Sequence, residues 1–261
     1  MTGRVMSEMN MSMSGQVAIV TGGGGGIGSA ICRRLAEAGA RIVLTYNQNE
    51  SKAVAVAKTL SGDGHTVVHA PVDDSAALAE LATIVQSQYG KVNVLVNNAG
   101  VTRPVPHADL DSLDDDLIDR IFRVNWRGAF AMVRAFAPLL QQGEHGNSSL
   151  IVNISSVAGQ TGFGSNVAYC ASKAALDSMT RSLARALAPQ VRVVSVSPGW
   201  VEGEYASQMD PAILAEQRQK TPLKRIARAE DVADAVLSAA TLLTFSTGCI
   251  IPVDGGRPLG V

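Results

Sequence analysis

The sequence predicts a single α/β domain built on a doubly wound, seven-stranded parallel sheet flanked by helices. Three observations lead there. From Gln16 onward, short β-branched runs alternate with longer stretches of helical periodicity, the pattern of strand–helix–strand units. The strand-like runs are mostly continuous apolar segments, as expected where helices cover both sheet faces. Five consecutive glycines, Gly22 to Gly26, directly follow the first run and lead into a helical pattern opened by Ile27.

Taken in order, strands are predicted at Val17 to Thr21, Arg41 to Tyr46, Thr66 to Ala70, Val92 to Asn97, Leu150 to Ser155, Arg192 to Ser197 and Cys249 to Val253. Helices are predicted at Ile27 to Ala38, Ser51 to Leu60, Ala76 to Gln88, Asp115 to Leu140, Val167 to Leu187 and Ala229 to Thr241. The connection from Gly199 to Arg225 exceeds an ordinary strand-to-helix loop and contains its own short helical pattern, Pro211 to Lys220. A long excursion inside a compact domain reads as a lid or binding loop. This one leaves the carboxyl edge of a strand, where doubly wound sheets bind ligands. No repeat or linker divides the chain, so residues 15–261 read as one domain. Residues 1–14, rich in Met and Ser and without an apolar block of signal-peptide length, read as a flexible tail outside the fold.

Composition narrows the function classes. Apolar residues make up 46% and charged residues 17% of the 261, enough for a sizeable core and unlike a disordered chain. The net charge of −1 gives no reason to approach nucleic acid or an anionic membrane, and no stretch is long and apolar enough to suggest a membrane span. The three cysteines, Cys32, Cys170 and Cys249, lie far apart without a C-x-x-C pair, which fits a reducing, cytoplasmic setting.

The segment Thr21-Gly22-Gly23-Gly24-Gly25-Gly26-Ile27-Gly28 places a glycine turn between a strand and a helix N-terminus. Backbone N–H groups and the positive helix end there can cradle a pyrophosphate with no side chain in the way. In dinucleotide sites an acidic residue near the end of the second strand holds the adenosine ribose. Here that place reads Thr45, Tyr46, Asn47. A 2′-phosphate would meet no carboxylate there, and Asn47, Ser51 and Lys52 could receive it, so NADP(H) is favoured over NAD(H). Asp73, after the third strand, could accept from the adenine amino group; an N-cap role for Asp73, Asp74 or Ser75 fits equally.

Tyr169 and Lys173 stand four apart at the start of a helical stretch and share a face. Moving a phenol from a pKa of about 10 to about 7 requires roughly 4 kcal/mol of preferential phenolate stabilisation. A neighbouring ammonium supplies part of it. Ser156, thirteen residues before Tyr169, ends a strand and could hold a substrate oxygen, with Ser155 as the rival and turn capping as the plainer role of both.

In joint order and spacing these residues resemble the short-chain dehydrogenase/reductase superfamily across nearly all of Gln16 to Gly256. Its motifs read as Thr21 to Gly28, Asn97-Asn98-Ala99-Gly100, Asn125, Ser156, Tyr169 with Lys173, and Pro198-Gly199. The resemblance implies a Rossmann-type fold with Tyr169 as general acid/base and Lys173 lowering its pKa while binding the nicotinamide ribose. Ser156, chosen over Ser155 by its spacing, orients the carbonyl or hydroxyl, and Asn125 holds a proton-relay water. The resemblance further assigns Gly22, Gly26, Ile27 and Gly28 to the phosphates and Asn97, Ala99 and Gly100 to the ribose wall, with Asn98 supporting that loop. It places Pro198, Gly199 and Val201 beside the carboxamide. Many relatives carry a threonine after Pro-Gly; this chain reads Trp200, Val201, Glu202, Gly203. A homotetramer is implied, with the helices of 115–140 and 167–187 packing against partner copies.

The function expected is NADPH-dependent reduction of a small-molecule carbonyl to a secondary alcohol, 3-oxoacyl reductase-like; Asn97 to Arg103 reads NNAGVTR. A sugar, polyol or other small-alcohol dehydrogenase is the alternative, since no basic stretch precedes strand five, where Gly143-Glu144-His145-Gly146 stands. A catalytically silent nucleotide-sensing protein is the alternative from another class, and the intact catalytic positions count against it. No metal site is expected. His65 and His69 flank a strand about 13 Å long, and Asp114, Asp115 and Asp116 fit helix capping. Cys170, with no histidine nearby in sequence, reads as packing rather than nucleophile.

Overall fold

A computed structural model describes residues 11–142, 148–207 and 210–257. Its frame is a parallel sheet of β1 (Val17–Val20), β2 (Arg41–Tyr46), β3 (Thr66–His69), β4 (Val94–Asn97), β5 (Ser149–Ile154), β6 (Val191–Pro198) and β7 (Ile250–Val253). The strand order is β3-β2-β1-β4-β5-β6-β7. The direction of winding reverses between β1 and β4, which leaves a crevice at their carboxyl ends. Each predicted strand is present, with ends shifted by up to two residues.

Helices cover both faces. Those named here are α1 (Gly26–Glu37), α2 (Glu50–Ala57), α3 (Ser75–Tyr89), α4 (Asp115–Phe122), α5 (Ala129–Leu140), α6 (Ala158–Thr161), α7 (Val167–Leu187), α8 (Glu204–Ser207), α9 (Pro211–Lys220) and α10 (Ala229–Thr241). Strand periodicity divides the core. Ala18 and Val20 pack with Ile31 and Leu35 of α1 and Val232 and Val236 of α10. Val17 and Ile19 face the other way, toward Leu78 and Leu81 of α3 and Met132 and Phe136 of α5. Side chains start several helices: the carboxylates of Asp74 and Asp114 and the amide oxygens of Asn49 and Asn166 accept backbone N–H bonds at the starts of α3, α4, α2 and α7.

Two expectations are corrected. The segment predicted to fray joins the fold before residue 15: Met13 is fully buried, its N–H donates to the Ala38 carbonyl at 2.7 Å, and Met11 packs on the same core. Residues 1–10 lie outside the described part. The continuous helix expected over Asp115 to Leu140 is broken by a π-helical segment, Arg123–Gly128, at the point where Gly128 crosses Val72; a Cβ on that glycine would sit 2.6 Å from Val72 Cγ2. Of the three N-cap candidates at the start of α3, Asp74 is the one that caps, accepting from Ala76 and Ala77 at 2.9 and 3.1 Å.

The long excursion after β6 forms α8 and α9 and returns to the sheet edge. Val201 makes a parallel bridge to Ala227, and the Leu223 N–H donates to the Gly255 carbonyl at 3.3 Å. Positions 208–209 within it, and Gly143-Glu144-His145-Gly146 before β5, lie outside the described residues.

Candidate active site

The glycine turn is held from below by Asn98. Its side-chain amide donates to the carbonyls of Thr21 and Gly22 at 2.8 and 3.2 Å. The Thr21 hydroxyl in turn accepts from the N–H groups of Asn98 and Ala99, both at 2.9 Å. Gly22 has φ of +63°, a conformation costly for any residue with a Cβ. Gly28 is needed for space: a Cβ there would lie 2.4 Å from the Gly22 carbonyl oxygen. Gly26 differs, because a Cβ on it would meet no protein atom within 4 Å. At the start of α1 no side chain caps the helix. The first turn of α1 therefore opens onto space with backbone donors and a positive helix end, and a pyrophosphate-bearing cofactor fits this arrangement.

At the adenosine side, Tyr46 ends β2 and its ring lies 5.3 Å from that of His69. Desolvation, and then the nearby Glu50 carboxylate, hold the Tyr46 phenol above its ordinary pKa. Sequence reading missed Glu50: a carboxylate does stand at this corner, in the first turn of α2. Asn49 accepts from the Lys52 N–H at 3.1 Å and from the Ser51 hydroxyl at 3.0 Å, so Asn49, Ser51 and Lys52 form the capped start of α2. That turn abuts the glycine loop, where a Cβ on Gly24 would approach Ala53 N to 3.1 Å; Asn47 precedes it in the turn leaving β2. Asp73 follows β3 and pairs with Arg123 at 3.6 Å, while its carbonyl accepts from Arg127.

Along β4 the expected ribose wall divides. The Asn97 side chain is buried in the sheet, donating to Asn153 at 2.9 Å, so its amide does not face the crevice as a wall would. Ala99 is tied to Thr21. A Cβ on Gly100 would lie 3.4 Å from Asn125 Oδ1 and 3.7 Å from Lys173 Nζ, so this loop runs over the catalytic candidates. Across β6 and β7, the Gly199 N–H donates to the Val253 carbonyl, and the Pro198 carbonyl accepts from Val157. Together with the Val201 bridge, these bonds form the floor at that edge.

The sheet and α7 bring the proposed catalytic groups together. Asn166 begins α7, so Tyr169 and Lys173 occupy its first two turns beside the carboxyl end of β5. Lys173 is 5% exposed; its Nζ donates to the Ile154 carbonyl at 2.8 Å and lies 5.7 Å from the centre of the Tyr169 ring. Burial pulls its pKa down to about 8, against the charge of Asp177 one turn further on. Gly159 permits the contact of α6 with α7, since a Cβ on it would sit 2.7 Å from the Lys173 carbonyl carbon.

The two serines separate. The Ser155 hydroxyl is buried and donates to the Lys173 carbonyl at 3.2 Å. Ser156 Oγ accepts from the Ala158 N–H at 3.2 Å, a bond that leaves its own proton available for an external oxygen. Asn125 is 1% exposed; its Oδ1 accepts from Val101 N–H, and its Nδ2 donates to the Val101 carbonyl and to Ser172 Oγ. With its amide protons so committed, the side chain clamps the loop and has none left for a relay water. Burial raises the thiol pKa of Cys170, in keeping with packing.

Comparison with known proteins agrees with this architecture. The sequence model described as Enoyl-(Acyl carrier protein) reductase matches residues 6–257. A 3-oxoacyl-acyl-carrier-protein reductase of Aquifex aeolicus is 34% identical, with 95% of this chain and 99% of that protein covered. Cis-4-hydroxycyclohexanecarboxylate dehydrogenase of Sinomonas cyclohexanicum is 33% identical, covering 95% and 98%. Among solved structures, a short-chain dehydrogenase/reductase from Serratia marcescens superposes with a TM-score of 0.85 at 32% identity, covering 94% and 98%.

Proposed function

The chain belongs to the short-chain dehydrogenase/reductase family of oxidoreductases that act on keto and hydroxyl groups, and on that footing we propose that it reduces an apolar carbonyl to a secondary alcohol with Tyr169 as general acid and NADP(H) as the favoured cofactor. The observation that carries this reading is the buried Lys173 ammonium against the Tyr169 ring at the mouth of the crevice. A positive charge this close to the ring favours the phenolate and supplies part of the roughly 4 kcal/mol needed to bring a phenol to neutral pH.

With its pyrophosphate held at Gly22, Gly26, Ile27 and Gly28, a nicotinamide cofactor would supply the hydride in such chemistry. The chain's own residues do the rest. Ser156 donates a hydrogen bond to the carbonyl oxygen and holds it against the phenol. Tyr169 gives its proton to that oxygen as negative charge develops. Lys173 holds the phenolate left behind, and in the oxidative direction the phenolate takes the proton back.

The cofactor preference rests on the absence of a carboxylate at 45–47 and on Lys52. The apolar substrate rests on Leu110, Phe163 and Leu223, which are 74%, 73% and 67% exposed on connections leaving the carboxyl edge of the sheet. The resemblance supports a homotetramer. The test is a screen of NADPH and NADH oxidation with acetoacetyl thioesters, diketones and sugars, run with Tyr169→Phe. Loss of turnover with cofactor binding retained is expected. Unchanged turnover in that variant rejects Tyr169 as proton donor, tighter binding of NADH rejects the cofactor preference, and faster turnover of sugars rejects the substrate class.

A further inference from the structure

We propose that Asn166 is a positioning residue of the reaction, one amide that locks the catalytic helix to the loop facing it; the inference rests on the reading of Tyr169 as acid/base. Asn166 is fully buried and spends its two ends on different elements. Its Oδ1 accepts from the Tyr169 backbone N–H at 2.7 Å, capping α7 at the turn that carries the phenol. Its Nδ2 donates to the Arg103 carbonyl at 2.8 Å and to Thr102 Oγ1 at 3.2 Å, both in the loop that follows β4. An aspartate or serine would cap the helix as well. Only an amide puts the capping acceptor and two N–H donors on separate atoms, so that one end caps while the other reaches both Thr102 and Arg103.

The loop it holds is the facing wall of the site. Two residues before Thr102, Gly100 runs past Asn125 Oδ1 and Lys173 Nζ. Val101 is held by Asn125, whose Nδ2 also donates to Ser172 Oγ, and the Ser172 hydroxyl donates to the Tyr169 carbonyl at 2.8 Å. Asn125 and Asn166 therefore grip consecutive residues of one loop, and each bonds through to the backbone of Tyr169, one at its N–H and the other, by way of Ser172, at its C=O. Beyond Arg103 the same loop stays on the chain before α7: the Val105 N–H donates to the Ser165 carbonyl at 2.8 Å, and His107 Nε2 lies 3.1 Å from the Gly164 carbonyl. With the Asn166 donors gone, the two walls lose their nearest tie, and an ångström of misplacement between phenol and carbonyl lowers turnover by on the order of tenfold to a hundredfold.

Asn166→Ser, Asn166→Asp and Thr102→Val separate the two ends. Serine and aspartate keep a cap; aspartate removes both donors and serine leaves one hydroxyl on a shorter side chain, while Thr102→Val removes the weaker acceptor together with the Thr102–Ser165 hydroxyl contact. The expected result with NADPH and a reducible carbonyl is a kcat lowered by at least about tenfold in Asn166→Ser and Asn166→Asp and less in Thr102→Val. The KM for NADPH stays within about twofold, while the melting temperature falls by a few degrees in Asn166→Ser as the Arg103 carbonyl loses its donor. A wild-type kcat in Asn166→Ser overturns the proposal, as does a parallel decline of kcat, cofactor KM and melting temperature across the series, the mark of a residue that only supports the fold. Tyr169→Phe measured alongside keeps the two readings apart. If it is inactive beside a wild-type-like Asn166→Ser, only the positioning role falls; if it turns over normally, the acid/base reading falls and takes this proposal with it.

Discussion

Gly28→Ala tests the phosphate cradle most directly, because its effects on stability and on binding follow from one contact. In an ordinary helix alanine is about 1 kcal/mol better than glycine, so an unobstructed site would be stabilised. Here the added Cβ would stand 2.4 Å from the Gly22 carbonyl oxygen, 2.7 Å from Asn98 Nδ2 and 3.0 Å from Gly23 Cα. Relieving the first contact takes a movement of about 1 Å. The loop cannot yield freely, since Asn98 holds the carbonyls of Thr21 and Gly22 and the Gly23 N–H is bonded to Thr45. Overpacking of this kind costs about 1–3 kcal/mol, which outweighs the helix gain and lowers the melting temperature by a few degrees, about 2–4 °C per kcal/mol at this size. Displacing the loop also removes about two charge-assisted bonds to phosphate at roughly 1.5–3 kcal/mol each, so NADPH affinity falls by on the order of a hundredfold. Calorimetry of the free protein and fluorescence titration with NADPH measure both. Gly26→Ala is the contrast: its methyl meets no protein atom, so the melting temperature holds while NADPH binding weakens. A Gly28→Ala protein that melts with the wild type and binds NADPH within about twofold refutes the reasoning.

Two further outcomes follow from the site. Burial lowers the Lys173 pKa from 10.5 to about 8, so between those pH values the unfolded chain keeps a proton the native one has released. This group's contribution to stability therefore rises with pH across that window, by about 3 kcal/mol at most. Denaturant melts of wild type and Lys173→Met at pH 7 and pH 10 should show the variant's relative advantage shrinking at the higher pH, and a pH-independent difference would contradict the burial argument. Lys52→Ala should raise the KM for NADPH by on the order of tenfold, a charge-assisted bond lost, and leave that for NADH nearly unchanged; equal effects on both would remove Lys52 from 2′-phosphate recognition.

What the sequence made legible follows from where its signals are local. A buried parallel strand needs a continuous apolar run, and each run was there to be read. The glycine turn was equally plain, since the crowding at Gly28 and the positive φ at Gly22 both demand the missing side chain. Ser156 could be preferred to Ser155 only through family spacing, and the hydroxyl partners favour the same choice: that of Ser155 is buried and donates to the Lys173 carbonyl, while that of Ser156 keeps its own proton. The polar residues that tie elements together were not legible. Glu50 reads as a helix-start acid until the fold sets it near the Tyr46 phenol, and Met13 reads as tail until α1 supplies a surface for it. The π-helical segment is the most instructive case. Asp115 to Leu140 has unbroken helical periodicity, and no Pro or capping signal marks Arg123–Gly128. An inserted residue of this kind re-aims what lies within it, and what lies within it is Asn125, which the break coincides with as it reaches both Val101 and Ser172. Restoring a plain α-helix there would shift Asn125 relative to α7 by a residue's rotation, about 100°. The break that no local preference announces is thus placed where one wall of the active site is fastened to the other.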